Sequence, residues 1–316
     1  MRLAFNCLDS GLGNGGGSKT TILCSKTIEE LGHKCDIIAT VDNFTWFEHK
    51  KVIDYIPKDL DVIIATACTT LPSTLMVNVP KKAYYIRGHE TWTLSERQLA
   101  TGYNSGLFNI TNSYGLQRKL MEFGAESVVV HQGIDFEDWK DRNLRSNFTE
   151  NKTIIGCLYQ KKSTKRWKDF ARLASILGYE KYEYIGFGTE FREDSFLDYS
   201  FCCPTHDQLV DLYNTCHIFF CPTELEGLFN VAMEAALCGC LILCSDNPLN
   251  GMIYDYAFDD DTSTAMIYKE RDIEDAATKI RNPNYETVPR MKFYIKEFIG
   301  SRATNMKKLI KVLETI

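Results

Sequence analysis

Short apolar runs alternate with longer amphipathic stretches along most of this chain of 316 residues. Each run is nearly continuously apolar and rich in β-branched or aromatic residues, which is typical of parallel strands buried on both faces with helices as crossovers. The runs are LAFNCL, CDIIAT, DVIIATA, KAYYIRG, LFNITNS and SVVVHQG, then TIIGCLY, YEYIGFG, HIFFCPT, LILCSD and AMIYK. The pattern predicts an α/β fold with doubly wound parallel sheets.

A polar segment that carries charges of both signs, 135–152, separates the two series of runs. Such composition is typical of a boundary between domains, and a chain of this length is expected to form two domains of roughly 150 residues. We therefore predict a Rossmann-like N-terminal domain at 1–145, a second Rossmann-like domain at 146–290 and a final helix at 291–316.

Composition excludes several classes of protein. The chain is 44% hydrophobic and 25% charged, with a formal net charge of −6, which is ordinary for a globular protein and disfavours disorder or a nucleic-acid partner. Its N-terminus has too short an apolar run for a signal peptide, and no later run reaches the length of a membrane span. We expect a cytoplasmic protein whose twelve cysteines are reduced, buried and not spaced for zinc.

The last 27 residues, from Arg290, contain seven Lys or Arg against two Glu at roughly helical spacing. The ordinary interpretation is a helix that packs on the body of the protein and exposes its basic face to solvent. The alternative is peripheral contact with the anionic cytoplasmic face of a membrane.

A glycine-rich loop, GLGNGGGSKTT, follows the first predicted strand. Gly11, Gly13 and Gly16 satisfy the pattern G-x-G-x-x-G, in which backbone N–H groups approach an anion at a helix N-terminus. Ser18 stands where the phosphate-binding loop of nucleotide triphosphatases has a glycine, which disfavours that class. With Asp42 as the acid after the second strand, the loop is also compatible with an NAD-dependent oxidoreductase, or with a tight turn that binds nothing.

Two acids, Glu226 and Glu234, flank the start of a predicted helix in CPTELEGLFNVAMEAALCGCLILCSD. A helix that begins near Leu228 directs its free N–H groups toward an anion, and eight residues of helix rise by about 12 Å. The residues around Glu234 are apolar, which predicts that its side chain is buried. Burial of a carboxylate without a partner is costly, so a partner or ligand is expected. Carboxylates on either side of an anion site suit a nucleoside diphosphate sugar, although the glutamates could simply complement the helix dipole.

The same region resembles the E-x7-E motif of retaining GT-B glycosyltransferases, the "glycosyl transferases group 1" or family four class. GGGSKTTILCSKTIEELGHKCDIIAT, NSYGLQRKLMEFGAESVVVHQGID and HDQLVDLYNTCHIFFCPT are similar to further segments of that family, so the resemblance spans about residues 1–280. The glutamate region is specific, whereas the glycine loop is not.

The resemblance implies a GT-B fold: two Rossmann-like domains facing a cleft, with a C-terminal helix that crosses back to the first domain. It also implies transfer of a sugar, hexose or deoxyhexose, from a nucleoside diphosphate sugar without a metal or cofactor and with retention at the anomeric carbon. The acceptor is left open among a glycan, a lipid-linked sugar and a small molecule.

Carried over by position, the resemblance implies that Glu234 binds the ribose, Glu226 binds the donor sugar and Lys165 neutralises the leaving diphosphate. The residues expected in the site are Glu226, Lys165, Arg166 and His89 as catalytic groups, and Glu234, Gly227, Leu228, Phe229, Asn230, Lys161, Gly15, Gly16 and Gly17 as donor-binding groups.

The sequence departs from the family at several positions. Cys157 replaces an arginine, so Lys161 or Lys162 is expected to take over its charge, and Phe229 stands where proline or glycine is common. His131 is expected to be structural. Two functional alternatives remain open: the NAD-dependent oxidoreductase, and a noncatalytic relative that binds a nucleotide sugar. The metal-binding pattern D-x-D in the acidic run 259–261 is interpreted as a solvated turn.

Overall fold

The computed structural model describes residues 1–147, 152–190, 194–247 and 264–316. The chain forms two compact units. Unit 1 comprises Met1–Gly133 and Gly300–Ile316, and unit 2 comprises Ile134–Ile299. The acidic run 259–261 lies outside the described residues.

Twelve strands and ten α-helices are named within the described residues. The strands are β1 (Arg2–Asn6), β2 (Lys34–Ile38), β3 (Val62–Ala65), β4 (Lys81–Ile86), β5 (Phe108–Thr111), β6 (Val128–Val129), β7 (Thr153–Tyr159), β8 (Tyr182–Gly188), β9 (Tyr199–Cys202), β10 (Ile218–Cys221), β11 (Leu241–Ser245) and β12 (Met266–Tyr268). The helices are α1 (Gly16–Glu30), α2 (Leu71–Met76), α3 (Glu96–Tyr103), α4 (Tyr114–Glu122), α5 (Trp167–Leu177), α6 (His206–Thr215), α7 (Asn230–Leu237), α8 (Ile273–Arg281), α9 (Thr287–Tyr294) and α10 (Arg302–Thr315).

Each unit contains one parallel sheet. The order is β2-β1-β3-β4-β5-β6 in unit 1 and β12-β11-β10-β7-β8-β9 in unit 2, and every pairing among the described strands is parallel. Each of the eleven predicted runs contains a strand. The predicted fold class, two doubly wound parallel sheets with flanking helices, is therefore confirmed.

The core of unit 1 lies on both faces of its sheet. Tyr85 points to one face, where it packs in a cluster with residues of α1 and α10, and its neighbour Tyr84 points to the other, toward α3 and α4. This alternation is the period-2 geometry of a strand, and a sheet covered on both faces explains the continuously apolar runs. The core of unit 2 is divided by its sheet in the same way.

The unit boundaries differ from the predicted ones: they fall after Gly133 and before Gly300, not at 145 and 290. The described part of the predicted linker packs on unit 2, where Trp139 is buried in the core and Arg145 donates hydrogen bonds to carbonyls at helix ends. Ile299 is also buried in that core. Most side chains of the segment are polar and exposed, which is why its composition predicted a linker. Its few buried side chains attach it to unit 2.

The basic C-terminal helix α10 belongs to unit 1. Met306, Leu309 and Leu313 are buried in the core of that unit, while Lys307 and Lys308 are exposed. The apolar side that a membrane-bound helix would insert is therefore used for packing. Among the described residues the structure contains no helix with the length and apolar character needed to cross a membrane.

Gly133 allows the returning chain to reach unit 1. Its φ is 67°, and a Cβ atom there would lie 2.6 Å from the main chain of Ser301 and Arg302. Real Cβ contacts are not this short, and main-chain atoms cannot move aside by changing a rotamer. Glycine is thus required both for its conformation and for the close approach.

We predict that Gly133→Ala lowers the free energy of unfolding by about 2–5 kcal/mol, because left-handed strain and overlap with the main chain act together. Gly124→Ala is the matched control. Gly124 has a similar φ of 71°, but its added Cβ would meet no atom within 4 Å, so only the strain of about 1–2 kcal/mol applies. Urea denaturation of both variants measures the difference; equal losses would contradict the account.

Candidate functional site

The sheet order of unit 2 creates one point at which ligands are expected to bind. The chain winds outward from β7 to β8 and β9, and in the opposite direction from β10 to β11 and β12. In open α/β sheets, ligands bind beyond the carboxyl ends of the strands where this direction changes. The loops that follow β7 and β10 carry the predicted cations and glutamates, so the candidate site lies at the switch point.

Lys165 and Glu226 meet at this point. The ammonium of Lys165 forms an ion pair with Oε1 of Glu226, and the hydroxyl of Thr223 donates to the same oxygen at 3.0 Å. The two side chains are only 13% and 12% exposed, respectively. Because water solvates neither side chain well, each charge is stabilised mainly by the other. Removal of Lys165 or of Glu226 therefore leaves a poorly solvated charge on the residue that remains.

Arg166 lies beside this pair. It has a left-handed backbone (φ 52°, ψ 38°) and precedes the first residue of α5. Its guanidinium pairs with Asp169 at 2.8 Å and with Glu224 at 2.8 Å. Hydrogen bonds to Asp169, together with the charges of both carboxylates, raise the pKa of Arg166, which therefore keeps its positive charge.

The main chains of the two loops are joined directly. The N–H of Glu224 donates to the carbonyl of Thr164 at 2.8 Å, and the hydroxyl oxygen of Thr223, which donates to Glu226, lies 3.2 Å from the same carbonyl. Thr164 immediately precedes Lys165 in a single 3₁₀ turn, Ser163–Lys165. The cation and the glutamate are thus held by backbone contacts as well as by their own charges.

Glu234 lies inside unit 2, on the second turn of α7. Its side chain is buried, and the hydroxyl of Tyr213 donates to Oε2 at 3.2 Å. Burial, and then the charge of Glu234, raise the pKa of Tyr213 well above its usual value, so the phenol remains a donor. The predicted burial of Glu234 is confirmed, and the hydrogen bond from Tyr213 lowers the cost of that burial.

The helix begins two residues later than expected, at Asn230 rather than near Leu228. Glu226 therefore precedes α7 and is placed by the loop, so the helical spacing assumed between the two glutamates does not apply. The N-cap, Phe229, has no side-chain oxygen to accept the first N–H groups, and its ring lies 4.6 Å from the ammonium of Lys165. The helix start, with Gly227 before it, adjoins the ion pair.

The structure does not bring Lys161 to this cluster. Its ammonium pairs with Glu190 at 3.2 Å, and the side chain is 78% exposed. Cys157 is buried within β7, and burial raises the pKa of its thiol, which stays neutral. Since a cysteine side chain has no cationic form, it cannot replace the charge of the arginine. Lys165 and Arg166, in contrast, form ion pairs with Glu226 and Glu224, respectively.

Gly15, Gly16 and Gly17 lie in unit 1, at the switch point between β1 and β3. Gly15 precedes α1, which begins at Gly16. A Cβ atom at Gly15 or Gly16 would meet no atom within 4 Å, and one at Gly17 would meet only the guanidinium of Arg87, at 3.9 Å. The loop leaves backbone accessible, as the predicted close approach of a ligand requires.

Both ring nitrogens of His89 have partners within unit 1. The side chain is 2% exposed; Nδ1 lies 3.0 Å from the hydroxyl of Tyr103, and Nε2 lies 2.8 Å from a carboxylate oxygen of Glu96. The geometry gives the predicted catalytic role no support and makes His89 a link between β4 and α3. His131 is also buried, and burial lowers its pKa, as expected of a structural histidine.

Asp42, the acid on which an NAD site would depend, has partners within its own loop. One carboxylate oxygen accepts the N–H of Phe44 at 3.3 Å, and the other lies 3.5 Å from Nε2 of His49. Among the described residues, no group of three or more His, Cys, Asp or Glu side chains is arranged to hold a metal ion.

Sequence reasoning missed several residues that shape these sites. Tyr213 and Thr223 complete the environment of the glutamates, and Arg87 donates to the carbonyl of Gly17 at 2.6 Å and to the hydroxyl of Thr21 at 2.7 Å. Arg87 directly follows β4, and Thr223 lies two residues after the end of β10. Polar residues at the carboxyl ends of parallel strands are candidates for a site, so this position could have identified both. Tyr213, a core aromatic of α6, had no comparable signal.

Solved structures that match this chain include a sucrose-phosphate synthase, a protein in complex with UDP and a glycosyltransferase. The sucrose-phosphate synthase from Thermosynechococcus elongatus matches over 100% of this chain and 99% of its own, with a TM-score of 0.78 at 13% identity. HepE from Anabaena, solved in complex with UDP, matches over 100% of both chains with a TM-score of 0.75 at 12% identity. A glycosyltransferase from Rickettsia africae matches over 99% of this chain and 98% of its own, with a TM-score of 0.71 at 13% identity.

At these identities, the likeness establishes the fold. No family model matches this sequence, and no curated protein matches it.

We predict that Tyr213→Phe lowers the free energy of unfolding by about 1–3 kcal/mol, because the buried carboxylate of Glu234 loses a donor. Tyr184→Phe is the control: Tyr184 is equally buried in unit 2, but its hydroxyl donates to the neutral carbonyl of Gly178. The control should lose less, because its acceptor carries no charge. Urea denaturation compares them, and a larger loss in the control would contradict the assignment of the Tyr213 hydroxyl as a donor to Glu234.

Proposed function

We propose that this protein is a glycosyltransferase that moves a sugar from a nucleoside diphosphate sugar to an acceptor, without a metal and with retention at the anomeric carbon. One observation carries the proposal: Lys165, Arg166 and Glu226 converge beside the start of α7 at the switch point of unit 2. The Anabaena HepE structures that share this fold are described as complexes with UDP and with UDP-glucose, which supports a donor of this class.

In this proposal the donor lies over the start of α7. The backbone N–H groups around Leu228, Phe229 and Asn230 receive the diphosphate, as helix N-termini commonly do for phosphate. Glu234, deeper in the unit, accepts hydrogen bonds from the ribose. Glu226 accepts hydrogen bonds from hydroxyls of the donor sugar.

The Lys165–Glu226 pair is proposed to open when the donor binds. In the structure the two charges neutralise each other within a region of low exposure. A diphosphate carries more negative charge than one carboxylate and competes for the ammonium of Lys165. The carboxylate of Glu226 is then released to the sugar hydroxyls, so one event prepares both groups.

During transfer the bond between the anomeric carbon and the diphosphate oxygen breaks, and the diphosphate leaves with the bonding electron pair. A hydroxyl oxygen of the acceptor forms the new bond to that carbon, and its proton passes to the departing diphosphate. Lys165 and Arg166 stabilise the charge that develops on the leaving group, which is the role a metal ion plays in other transferases. The acceptor, a glycan, a lipid-linked sugar or a small molecule, is assigned to unit 1.

The direct test is a thermal-shift panel with EDTA present throughout, comparing UDP, GDP, ADP, dTDP, their sugars and NAD. A ligand that binds only the folded state at a hundredfold excess over Kd contributes about 2.7 kcal/mol. Stabilisation by one nucleoside diphosphate is expected. Stabilisation by NAD alone would favour an oxidoreductase, and donor binding without release of the nucleoside diphosphate in any acceptor mixture would favour a noncatalytic binder.

We predict that Lys165→Ala weakens binding of the stabilising nucleoside diphosphate by about tenfold to a hundredfold, because a charge-assisted hydrogen bond is lost. Lys161→Ala, which removes the same charge from the same loop, is the control and should change Kd by less than about threefold, since an exposed pair contributes little. Isothermal titration calorimetry measures both. Equal losses would mean that the site is not centred on Lys165.

We predict that Glu234→Gln weakens binding of the nucleoside diphosphate but leaves inorganic pyrophosphate unaffected, because Glu234 is assigned to the ribose. Lys165→Ala is expected to weaken both ligands, since it is assigned to the diphosphate. Competition titrations with the two ligands separate these roles. Unchanged nucleoside diphosphate affinity in Glu234→Gln would refute the ribose assignment.

A further inference from the structure

Two neighbouring cysteines differ from the rest. All twelve cysteines lie within the described residues, and the prediction that they are buried is confirmed for ten of them. It is wrong for Cys202 and Cys203, which are exposed. Buried thiols behave as small apolar groups, whereas exposed thiols are open to oxidants and to other thiol reagents. The two exposed thiols are adjacent in sequence, so they form a candidate dithiol site.

The backbone brings the two sulfur atoms together. Successive residues of a strand point to opposite faces of the sheet, so adjacent cysteines in a regular strand hold their thiols apart. Cys202 is the last residue of β9, and Cys203 has a left-handed backbone with a φ of 49°, which ends this alternation. The thiol of Cys202 donates to Sγ of Cys203, and the two Sγ atoms lie 3.8 Å apart.

Neighbouring elements hold Cys203 in this conformation. Its N–H donates to the carbonyl of Gly188 at the end of β8 at 2.8 Å, and its thiol donates to the carbonyl of Thr189 at 3.4 Å. Two residues later, Thr205 is the N-cap of α6 and accepts the N–H of Gln208. A left-handed backbone outside glycine costs about 1–3 kcal/mol and persists where the surrounding structure imposes it, which is common at functional sites.

Solvent reaches the pair from the edge of the sheet. The strand β9 is an edge strand, and all four of its residues are exposed. Because the other ten thiols are buried, each exposed sulfur has the other as its accessible thiol partner. A structural zinc ion would need further ligands, and the described residues offer no group of three or more side chains that could hold a metal ion. The surroundings therefore suit thiol–disulfide chemistry.

A disulfide between these two residues would be easily reduced. The peptide that joins them is trans, which places consecutive Cα atoms about 3.8 Å apart, whereas disulfides usually join Cα atoms separated by roughly 4.4–6.8 Å. The resulting strain makes the bond more oxidising, as in labile disulfides rather than structural ones. The pair is thus suited to a cycle of oxidation and reduction.

We propose that Cys202 and Cys203 form a reversible redox site that exchanges with low-molecular-weight disulfides such as oxidised glutathione. The thiolate of one cysteine attacks a sulfur of the glutathione disulfide, whose S–S bond breaks, and one glutathione leaves as a thiolate with the bonding electron pair. The neighbouring thiolate then attacks the mixed disulfide and releases the second glutathione.

In this exchange the dithiol is oxidised by two electrons, and oxidised glutathione is reduced to two glutathione molecules. The two protons of the cysteines pass through water to the glutathione thiolates. The inference goes beyond the proposed function and does not depend on it, because no nucleotide or sugar takes part.

Intact-mass spectrometry of the full chain tests the ring closure. The reduced protein is incubated with oxidised glutathione at about pH 8, where an ordinary cysteine is partly thiolate, and is then labelled under native conditions with N-ethylmaleimide. We expect two labels on untreated protein, and after oxidation a protein without label or glutathione that dithiothreitol restores. A stable glutathione adduct, a disulfide-linked dimer or no reaction would overturn the proposal.

Single substitutions test the pairing. Cys202→Ser and Cys203→Ser each keep one exposed thiol, so each is expected to stop at the mixed disulfide and to carry one glutathione. Cys244→Ala, which removes a buried thiol of unit 2, is the control and should close the ring as the unaltered protein does. Loss of the glutathione adduct from either serine variant, through closure with a buried thiol, would refute the assignment of Cys202 and Cys203 as partners.

Discussion

The candidate site depends on the contact between the loops that follow β7 and β10. The carbonyl of Thr164 accepts a hydrogen bond from the N–H of Glu224, and the hydroxyl of Thr223 donates to the carboxylate of Glu226. This contact is made where the winding of the sheet reverses, so no helix crossover separates the two loops. It places Lys165 against Glu226 and leaves the start of α7 directly beside them. The chemistry proposed for unit 2 follows from this one junction.

The two units use the same sheet architecture differently. At its switch point, unit 2 gathers charged groups that neutralise one another, which suits a ligand that carries charge of its own. Unit 1 instead presents accessible glycine backbone after β1, with the guanidinium of Arg87 donating to the carbonyl of Gly17. The two units thus share a sheet architecture and differ in the loops beyond their strands.

Eleven of the described strands could be predicted because buried parallel strands are continuously apolar. The strand β9 was not predicted, because all four of its residues are exposed at the edge of the sheet. The glutamates could be predicted from their motif, and Glu234 also from its apolar surroundings. Tyr213 could not, because a long-range contact between two helices leaves no local pattern. The mixed charge of the segment after Gly133 predicted a linker between domains. In the structure a few buried side chains, such as Trp139, make the segment part of unit 2.

The most direct measurement is hydrogen–deuterium exchange, followed by mass spectrometry, with and without the nucleoside diphosphate that stabilises the protein most. We predict slower exchange in 160–166 and 223–234, where the two loops and the start of α7 would surround the diphosphate and ribose. Slower exchange only in the glycine loop of unit 1, with those two segments unchanged, would contradict a donor site at the switch point of unit 2.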